Sequence, residues 1–499
     1  MKKYFYIALV AIFGLSSCGE DFLTISPTSS QEVGGEVTEG AVLSNLAACY
    51  QILLFDSYAN NNYNSIVLMS DLRSDDIFKG GSDAGDQGQL YRLSQLDATP
   101  TELPAGLWNI YYSGISRCNY VIGACEKAKG ISEAKLNQYK AEAHFLRAYY
   151  LHWLWKFWGN IPYFEEDLLP PYMAKQYTAN EIYNEIIEDV NFAIEGDKLP
   201  MNTTGTDAGR VSRAAAMMLK SRVVMYQKDA ARYGEVLADM VKIIKSNKFQ
   251  LVGFGSMWLN SGEFGKESIF ESNQLPEGKT WSSGWQGYGT NLPAFISPSE
   301  LKGQDSLKGG WGFGPVRSQT YAIFEEGDVR RDVSIKSYEA GTYNPRFQNT
   351  GFFMGKYAAR VGYNPPPGDQ DLNYNNNLRI FRYAETLLNA ADLMVIQSAA
   401  QVDDVTAQWC LDEIRKRAGL SPIPASVANV KLERRREFVG EGMRFWDLVR
   451  WGDTDLLTEN IPAFSSVRTW QPTDKYLPIP ESEILKTEGE FKLKQNDGY

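Results

Sequence analysis

Histidine is nearly missing from this sequence of 499 residues, which contains only His144 and His152. Two histidines cannot build a histidine-rich metal centre, and the HExxH pattern of zinc proteases does not occur. The phosphate-binding loops GxxxxGK[ST] and GxGxxG and the nucleophile motif GxSxG are missing as well. We therefore predict no metal site and no cofactor, and we interpret both histidines as core residues.

Basic residues are fewer than acidic ones, and the cysteines form no CxxC motif. The 50 Lys and Arg are outnumbered by 61 Asp and Glu, so the net charge is −11. A nucleic-acid binder is expected to carry a basic face, so we predict no nucleic-acid partner. No CxxC occurs among the five cysteines. Cys118 and Cys125 lie about 10 Å apart on a predicted helix, beyond disulfide reach, and are predicted to be buried free thiols.

No apolar run reaches the ~20 residues of a membrane-spanning helix. The N-terminus instead has Lys2 and Lys3 before a short apolar run over 4–15, as in a signal peptide. The run ends in LSSC at 15–18, the pattern of a bacterial lipobox, although an ordinary signal peptide with an incidental cysteine is the alternative. We predict a signal peptide over 1–17, a lipid anchor on Cys18 and a lipidated tether over 18–40.

Helical periodicity dominates the chain from position 41 onward. The stretch 141–160 has apolar residues at steps of three and four and widens to apolar on all sides, which predicts a buried helix. Thr178 and Glu181 have the spacing of a capping box at the start of a helix over 178–194. Further helices are predicted over 212–228, 232–246, 380–399 and 405–418. Pairs of helices joined by short turns indicate tetratricopeptide-like hairpins.

Residues 250–375 differ from the helical remainder, because Gly, Pro, Asn and aromatic residues replace the periodic pattern. Long loops within a helical protein are commonly functional. The sequence DQDLNYNNN at 369–377 has alternating oxygen ligands. It has Tyr374 where a calcium-binding EF-hand needs glycine, and no glutamate at position twelve. We predict a polar surface loop there.

The stretch 433–452 combines five arginines, two tryptophans and four acids. Leu432, Val439 and Trp446 recur every seven residues, which predicts a helix packed on the body of the protein. The spacing allows ion pairs along this helix, namely Arg434–Glu437, Glu441–Arg444 and Arg444–Asp447. A phosphate site would not interleave acids with its arginines, so we interpret the stretch as scaffold with buried tryptophans.

Several of these stretches together resemble the SusD/RagB family, the surface lipoproteins that Bacteroidetes pair with TonB-dependent transporters. The resemblance rests on LSSCGEDFL (15–23), LWNIYYSGISRCNYVI (107–122), AEAHFLRAYYLHWLWKFWGNIPYF (141–164), GRVSRAAAMMLKSRVVMY (209–226), LRIFRYAETLLNAADL (378–393), LDEIRKRAGL (411–420), ERRREFVGEGMRFWDLVRWG (433–452) and YLPIPESEI (476–484). These segments follow one another in the family's order and cover nearly the whole chain.

The resemblance implies a mainly α fold, in which tetratricopeptide-like hairpins support an irregular, loop-rich ligand face with short β segments. It implies one SusD-like unit over 41–499, with an N-terminal half over 41–250, a C-terminal half over 251–499 and ligand-face loops over 275–375. It implies no catalysis. The protein would capture an oligosaccharide at the outer membrane, facing the cell exterior, and deliver it to a SusC-like transporter. Peptide binding, as in some relatives, is the main alternative, and a surface glycoside hydrolase with two carboxylates is a third.

Sugars stack their C–H faces on exposed aromatic rings, and nearby polar groups fix their hydroxyls. The stretches 279–293 and 309–315 space their aromatic residues with glycine, which gives them poor helix propensity. We therefore predict that they form loops and that a sugar-binding face lies on them, at Trp281, Trp285, Tyr288, Trp311 and Phe313. The alternative is that these rings pack inward. The resemblance adds polar contacts from the region 70–81, where the candidates are Asp71, Arg73, Asp75 and Asp76. Solvated loop charges or helix caps are the alternative for these four.

Overall fold

The structure is a computed structural model that describes residues 37–499, except for 56–57, 60–61, 284–287 and 465. Helices dominate the described part of the chain. In chain order they are α1 (Glu39–Gln51), α2 (Ile66–Leu72), α3 (Gly88–Gln95), α4 (Gly106–Lys127), α5 (Glu133–Trp158), α6 (Ala179–Ile194), α7 (Arg213–Gln227), α8 (Tyr233–Lys245), α9 (Leu292–Ile296), α10 (Ser318–Tyr321), α11 (Arg331–Ser334), α12 (Tyr383–Val395), α13 (Ala407–Arg417), α14 (Val427–Phe438), α15 (Arg444–Trp451) and α16 (Glu481–Leu485).

The long helices pack against their neighbours in sequence, as stacked hairpins do. Helix α1 packs on α4, α4 on α5, α5 on α6, α6 on α7 and α7 on α8, and the series continues from α8 to α12 and from α12 to α13 and α14. A single helical hairpin cannot bury its apolar face alone, so the stacked hairpins together form a continuous core. The predicted mainly α fold of tetratricopeptide-like hairpins is confirmed.

Helix α5 lies at the centre of this stack. From Tyr139 to its end nearly every side chain is buried, and Tyr150, Trp155 and Trp158 are fully buried. The helix ends where Gly159 takes a φ of +67°, which a side chain would disfavour. His144 and His152 lie on this helix and bond to the carboxylate of Asp189 and to the carbonyl oxygen of Tyr149. The prediction of a buried helix is confirmed.

The other helix boundaries follow the sequence within a few residues. Both hydrogen bonds of the predicted capping box between Thr178 and Glu181 are present at the start of α6. Because Glu181 accepts hydrogen bonds from the backbone and side chain of Thr178, its pKa is lowered. The four described cysteines, which include Cys118 and Cys125, are buried free thiols, as predicted.

Within the described residues the strands form two-stranded antiparallel ribbons. The pairs are β1 (Tyr58–Ala59) with β2 (Asn62–Tyr63), β3 (Ile161–Pro162) with β4 (Gln176–Tyr177), β5 (Ser268–Ser272) with β8 (Leu378–Arg382), β6 (Ile335–Ser337) with β7 (Phe352–Met354), and β9 (Glu459–Ile461) with β10 (Ser466–Arg468). Ribbon β5–β8 closes the loop region 273–377 at its base, because Ser272 pairs with Leu378.

The asparagine-rich stretch 369–377 is not the surface loop that we predicted. The side chains of Asn373, Asn376 and Asn377 are buried and hold the backbone of neighbouring loops. The Asn373 amide donates to the carbonyl oxygen of Lys279, and the Asn376 amide donates to that of Trp258. Buried backbone groups need such partners, so these amides serve the fold. No cluster of potential metal ligands is found among the residues that the structure describes.

The arginine-rich stretch forms two helices, α14 and α15, rather than one. Gly440 and Gly442 separate them with φ values of +77° and +72°. The expected pairs along one helix are therefore wrong: Arg434 donates to Asp447 across the break at 2.7 Å, and Arg444 donates to Asp75. The interpretation as scaffold holds, because the arginines bind carboxylates and Trp446 is 2% exposed. Trp451 is only partly buried, and its indole N–H donates to Asp392 at 2.9 Å.

Glu437 is the centre of this charge network. Its carboxylate is fully buried and lies 2.8 Å from Arg382 and 3.2 Å from Arg330. Burial alone would raise the pKa of Glu437, but the charges of Arg417, Arg382 and Arg330 hold it well below its usual range. A buried carboxylate needs several cationic partners to offset its lost hydration, and these ion pairs fix the C-terminal helices in one arrangement.

Candidate functional site

A pocket of about 170 Å³ lies on the loop face and contains two of the predicted tryptophans. Its lining combines aromatic rings with polar side chains, namely Tyr63, Asp86, Gln87, Trp281, Phe295, Trp311, Phe313 and Arg346. Aromatic surface with a few convergent polar groups is the usual composition of a small-molecule site. We refer to this site as the aromatic pocket.

Trp281 and Trp311 form the accessible surface of the aromatic pocket. Their ring centroids are 5.8 Å apart, and the planes are tilted by 31°. Trp281 is 40% exposed, a large fraction for a tryptophan. The exposed Trp281 ring and the partly buried Trp311 ring give the pocket an aromatic surface of the kind on which sugar C–H faces stack. The exposure of Trp281 excludes the alternative that this ring packs inward.

Two neighbouring aromatic rings, the buried Phe295 and the partly buried Tyr63, support Trp311. Phe295 and Tyr63 meet it edge-on, with centroids 5.0 and 6.1 Å away. The Trp311 backbone N–H donates to the carbonyl oxygen of Ala294 at 2.7 Å. A Cβ at the preceding Gly310 would come within 2.2 Å of that same oxygen, so only glycine lets the backbone at 310 approach that of Ala294 this closely. The glycine spacing at 309–314 thus positions the ring.

Side chains from the segment 369–373 hold the backbone of the Trp281 loop. The Trp281 N–H donates to Asp369 Oδ2 at 2.9 Å, and the carbonyl oxygen of Lys279 accepts from Asn373. Lys279 is buried, which lowers the pKa of its amine to about 7, and its Nζ donates to the carbonyl oxygen of Gly289. These contacts make the 279–283 segment a preformed support rather than a free loop.

Phe313 occupies a different position from the one that the sequence suggested. Its ring is 3% exposed and packs against Phe295 with a centroid distance of 4.6 Å. The Lys79 amine lies 5.0 Å from the ring centroid, and burial lowers the pKa of that amine to about 8. Phe313 forms the floor of the aromatic pocket and does not offer a stacking face. The prediction is corrected accordingly.

The polar rim of the aromatic pocket comes from residues that the sequence analysis missed. Asp86 and Arg346 face each other, with Arg346 Nη2 3.7 Å from Asp86 Oδ2, and both are about one-quarter exposed. The Asp86 carboxylate also accepts from the Ser82 backbone N–H at 2.8 Å. Carboxylate and guanidinium groups bind hydroxyls by accepting and donating in fixed directions. The sequence SDAGDQG at 82–88 carried a turn signal, whereas nothing local marked Arg346.

The four polar candidates at 71–76 are buried in the interior, which contradicts their assignment to the ligand face. Asp75 accepts two hydrogen bonds from Arg444, and Asp76 accepts two from Arg435. Arg73 is 1% exposed and donates to the carbonyl oxygen of Asp474.

Asp71 is fully buried as well and accepts from the Gly442 N–H at 3.1 Å. Burial raises its pKa well above the usual range. These side chains therefore tie the end of α2 and the turn that follows it to the C-terminal part of the chain, and their burial removes them from the ligand face.

Tyr288 does not line the aromatic pocket. Tyr288 lines a separate cleft, where its hydroxyl accepts a hydrogen bond from Gln51 Nε2 at 3.3 Å. Trp285 lies outside the described residues, and so does the predicted lipidation site, Cys18. No helix in the described part of the chain is long and apolar enough to cross a membrane.

Comparisons with known proteins are consistent along the chain. Residues 328–499 match the model of the SusD family, and residues 21–225 match a SusD-like model described as starch-binding and associating with the outer membrane. The chain is 24% identical to the SusD-like protein P38 of Formosa agariphila, over 90% of this chain and 92% of that protein.

Two solved structures extend the likeness to the fold. Surface glycan-binding protein A from Bacteroides fluxus is 62% identical with a TM-score of 0.90, covering 93% of this chain and all of that one. Surface glycan-binding protein A from Bacteroides thetaiotaomicron, solved in complex with laminarihexaose, is 37% identical with a TM-score of 0.86. That match covers 92% of this chain and 99% of the other.

Proposed function

Because the chain belongs to the SusD family, we propose that it is a non-catalytic binding protein for a laminarin-type glucan at the cell surface. The observation that carries the proposal is the pair of tryptophans in the aromatic pocket, with centroids 5.8 Å apart and Trp281 40% exposed. Accessible indole rings suit the C–H faces of a neutral sugar, and the relative bound to laminarihexaose favours a glucan of this type.

The rim of the aromatic pocket supports a neutral ligand with several hydroxyls. Asp86 and Arg346 line the same pocket as the rings and carry opposite charges 3.7 Å apart. Each charge compensates the other, so neither attracts an ion strongly, while both retain hydrogen-bonding capacity. A glucan offers hydroxyls that both donate and accept, which matches this pair.

The proposal extends to the membrane and a partner. Lipidation of Cys18 would hold the protein at the outer membrane, and a SusC-like TonB-dependent transporter would receive the captured oligosaccharide. The resemblance of the N-terminal LSSC sequence to a lipobox supports the anchor. The described outer-membrane association of the family supports the location.

Calorimetric titration with laminarihexaose tests the binding function. We expect Trp281→Ala and Trp311→Ala each to weaken binding at least tenfold, about 1.4 kcal/mol, because aromatic anchors carry much of the energy of such sites. Trp409→Ala is the matched control, since Trp409 is 39% exposed on α13 and lies outside the aromatic pocket. It should bind as the wild type does.

Three other results would contradict the proposal. Unchanged affinity in both pocket variants would remove the aromatic pocket as the site. Binding of peptides but of no glucan in the same titration would favour the peptide-binding alternative. New reducing ends after incubation with laminarihexaose would identify a glycoside hydrolase instead.

A further inference from the structure

A second and larger cleft lies beside the C-terminal half of α1. It has a volume of about 600 Å³ and is enclosed by α1, the loop at 208–210, the segment after β5 and Tyr288. Among the residues that the structure describes, it shares no lining residue with the aromatic pocket, whose volume is about 170 Å³. Small-molecule sites in proteins have volumes of about 300–1,000 Å³, so this cleft is large enough for a ligand of its own.

The walls of the cleft are largely apolar. Leu53 and Leu54 follow α1 and line one side, and Leu275 lines another while remaining 38% exposed. An exposed leucine within a concave surface retains apolar area that a ligand can cover. The Tyr288 ring adds an aromatic face, so the cleft offers sugar C–H groups the same kind of surface as the aromatic pocket.

Polar groups in the cleft suit hydroxyls. The Tyr288 hydroxyl accepts from Gln51 Nε2 at 3.3 Å, and Gln51 Oε1 accepts from Arg117 Nη1 at 3.1 Å. The glutamine is thus held as a donor to Tyr288, and the tyrosine retains its own proton for a further hydrogen bond. Asn273 is exposed at the cleft wall, and its amide can both donate and accept.

The charged groups of the cleft are already compensated. Arg210 donates through Nε to both carboxylate oxygens of the fully buried Glu142 at 3.2 Å. Glu271 is 2% exposed, lies 3.8 Å from Arg379 Nε, and accepts from Asn377 Nδ2 at 3.0 Å and from the Phe264 N–H at 3.1 Å. An ionic ligand would therefore find no unpaired counter-charge here, whereas a neutral ligand would disturb no ion pair.

From these observations we propose that the cleft is a second carbohydrate-binding site, which takes a short neutral segment of the same glucan. The inference rests on the proposed function for the choice of sugar, while the cleft itself is independent of the aromatic pocket. Two separate sites would let one molecule hold two short oligosaccharides, or two parts of a long chain. The second arrangement raises the apparent affinity for polysaccharide over that for a short oligosaccharide.

Titration with laminaritriose distinguishes the two sites, because a short sugar should fill each of them separately. We expect about two trisaccharides per wild-type protein. Ala47→Trp places a large side chain in the cleft from α1 and should reduce the stoichiometry to one. Leu43→Trp is the control, since Leu43 is exposed on the same helix but does not line the cleft. It should leave two sites.

Milder changes guard against misfolding of the plugged variant. Asn273→Ala and Tyr288→Ala remove only polar or aromatic contacts and should weaken one of the two binding events several-fold, with an unchanged circular dichroism spectrum. The double variant Trp281→Ala/Trp311→Ala should retain one event, which comes from the cleft.

The results separate the two proposals. A single wild-type site that is lost in the Trp281→Ala/Trp311→Ala variant and unaffected by Ala47→Trp would overturn the second site and leave the proposed function intact. Two wild-type sites of which the tryptophan variants remove neither would overturn the role of the aromatic pocket. No binding of any glucan by the wild type would overturn both.

Discussion

Asp75 illustrates how the same residue type serves a ligand face or a core. Its carboxylate accepts from Arg444 at 2.7 and 3.0 Å, and the two residues are 369 positions apart in the sequence. Carboxylates beside an arginine are what a sugar site uses, and they are also what a buried ion pair uses. Only the fold brings the distant arginine to Asp75, so the sequence could not separate the two roles.

The pairing of Asp75 predicts a pH-dependent contribution to stability. Burial alone would raise the pKa of Asp75, but the hydrogen bond from Arg444 and the charge of Arg435 lower it to about 2. An unfolded aspartate has a pKa of about 3.9. A carboxylate with a lowered folded pKa stabilises the protein above the unfolded pKa, and this contribution is lost as the pH falls through the folded pKa.

We therefore expect the free-energy difference between wild type and Asp75→Asn to be about 2 kcal/mol larger at pH 6 than at pH 2. Urea unfolding at a series of pH values measures this difference. Asp97→Asn is the control, because Asp97 pairs with Arg92 on the surface at 2.9 Å with about half of its side chain exposed. Surface pairs contribute at most about 1 kcal/mol, so this variant should show a small difference at all pH values. A pH-independent difference for Asp75→Asn would contradict the assignment.

Glycine spacing predicted only part of how the aromatic rings at 281–313 are arranged. It correctly predicted that Trp281 and Trp311 lie on loops and that Trp281 is accessible. It could not tell that Phe313, two positions after Trp311, points into the interior. The turn at Gly312, with a φ of +72°, separates these neighbours, and the sequence does not determine which ring then faces outward.

At the scale of the element, the junction between α14 and α15 is the feature that the sequence predicted least well. The heptad spacing indicated one helix, because apolar periodicity continues across Gly440 and Gly442. The structure breaks the helix there and brings Gly442 against α2, where its N–H donates to Asp71. Isolated glycines are tolerated within helices, so periodicity alone gave no reason to place a break.

This junction makes a prediction about two glycines with similar backbone conformations. Gly442 has a φ of +72°, and an added Cβ would come within 3.0 Å of the Val67 Cα, a backbone atom that cannot move aside. Gly452 ends α15 with a φ of +80° and has nothing within 4 Å of such a Cβ. Both alanine variants incur backbone strain of roughly 1–2 kcal/mol, but only Gly442→Ala adds a steric clash.

We expect Gly442→Ala to be less stable than Gly452→Ala by roughly 1–3 kcal/mol, a typical cost of overpacking. Chemical unfolding of the two purified variants against wild type gives both values. Equal destabilisation of the two variants would mean that α2 can shift away from the junction. It would also weaken the view that the charged residues at 71–76 serve to hold α2 in place.

At the scale of the whole molecule, the fold was predictable and most of the site was not. The apolar periodicity that predicts helical hairpins extends over long segments. An error of one or two residues at a helix end therefore does not change the predicted fold. The aromatic pocket instead joins residues that are far apart in the sequence, including Asp86, Trp281, Trp311 and Arg346. No local pattern links Arg346 to Asp86, and their proximity exists only after the chain has folded.

The last prediction concerns where the whole protein resides. If Cys18 carries the lipid, Cys18→Ser should move the protein from the detergent phase of a phase-partition assay into the aqueous phase, because several acyl chains supply the membrane affinity. Cys49→Ser is the control, since Cys49 is a buried free thiol in α1 and should leave the partition unchanged. The Cys18→Ser protein should bind laminarihexaose as the wild type does, because the aromatic pocket draws its lining from residues 63–346. Retention of Cys18→Ser in the detergent phase would show that another segment attaches the protein to the membrane, and the lipobox interpretation of LSSC would then be wrong.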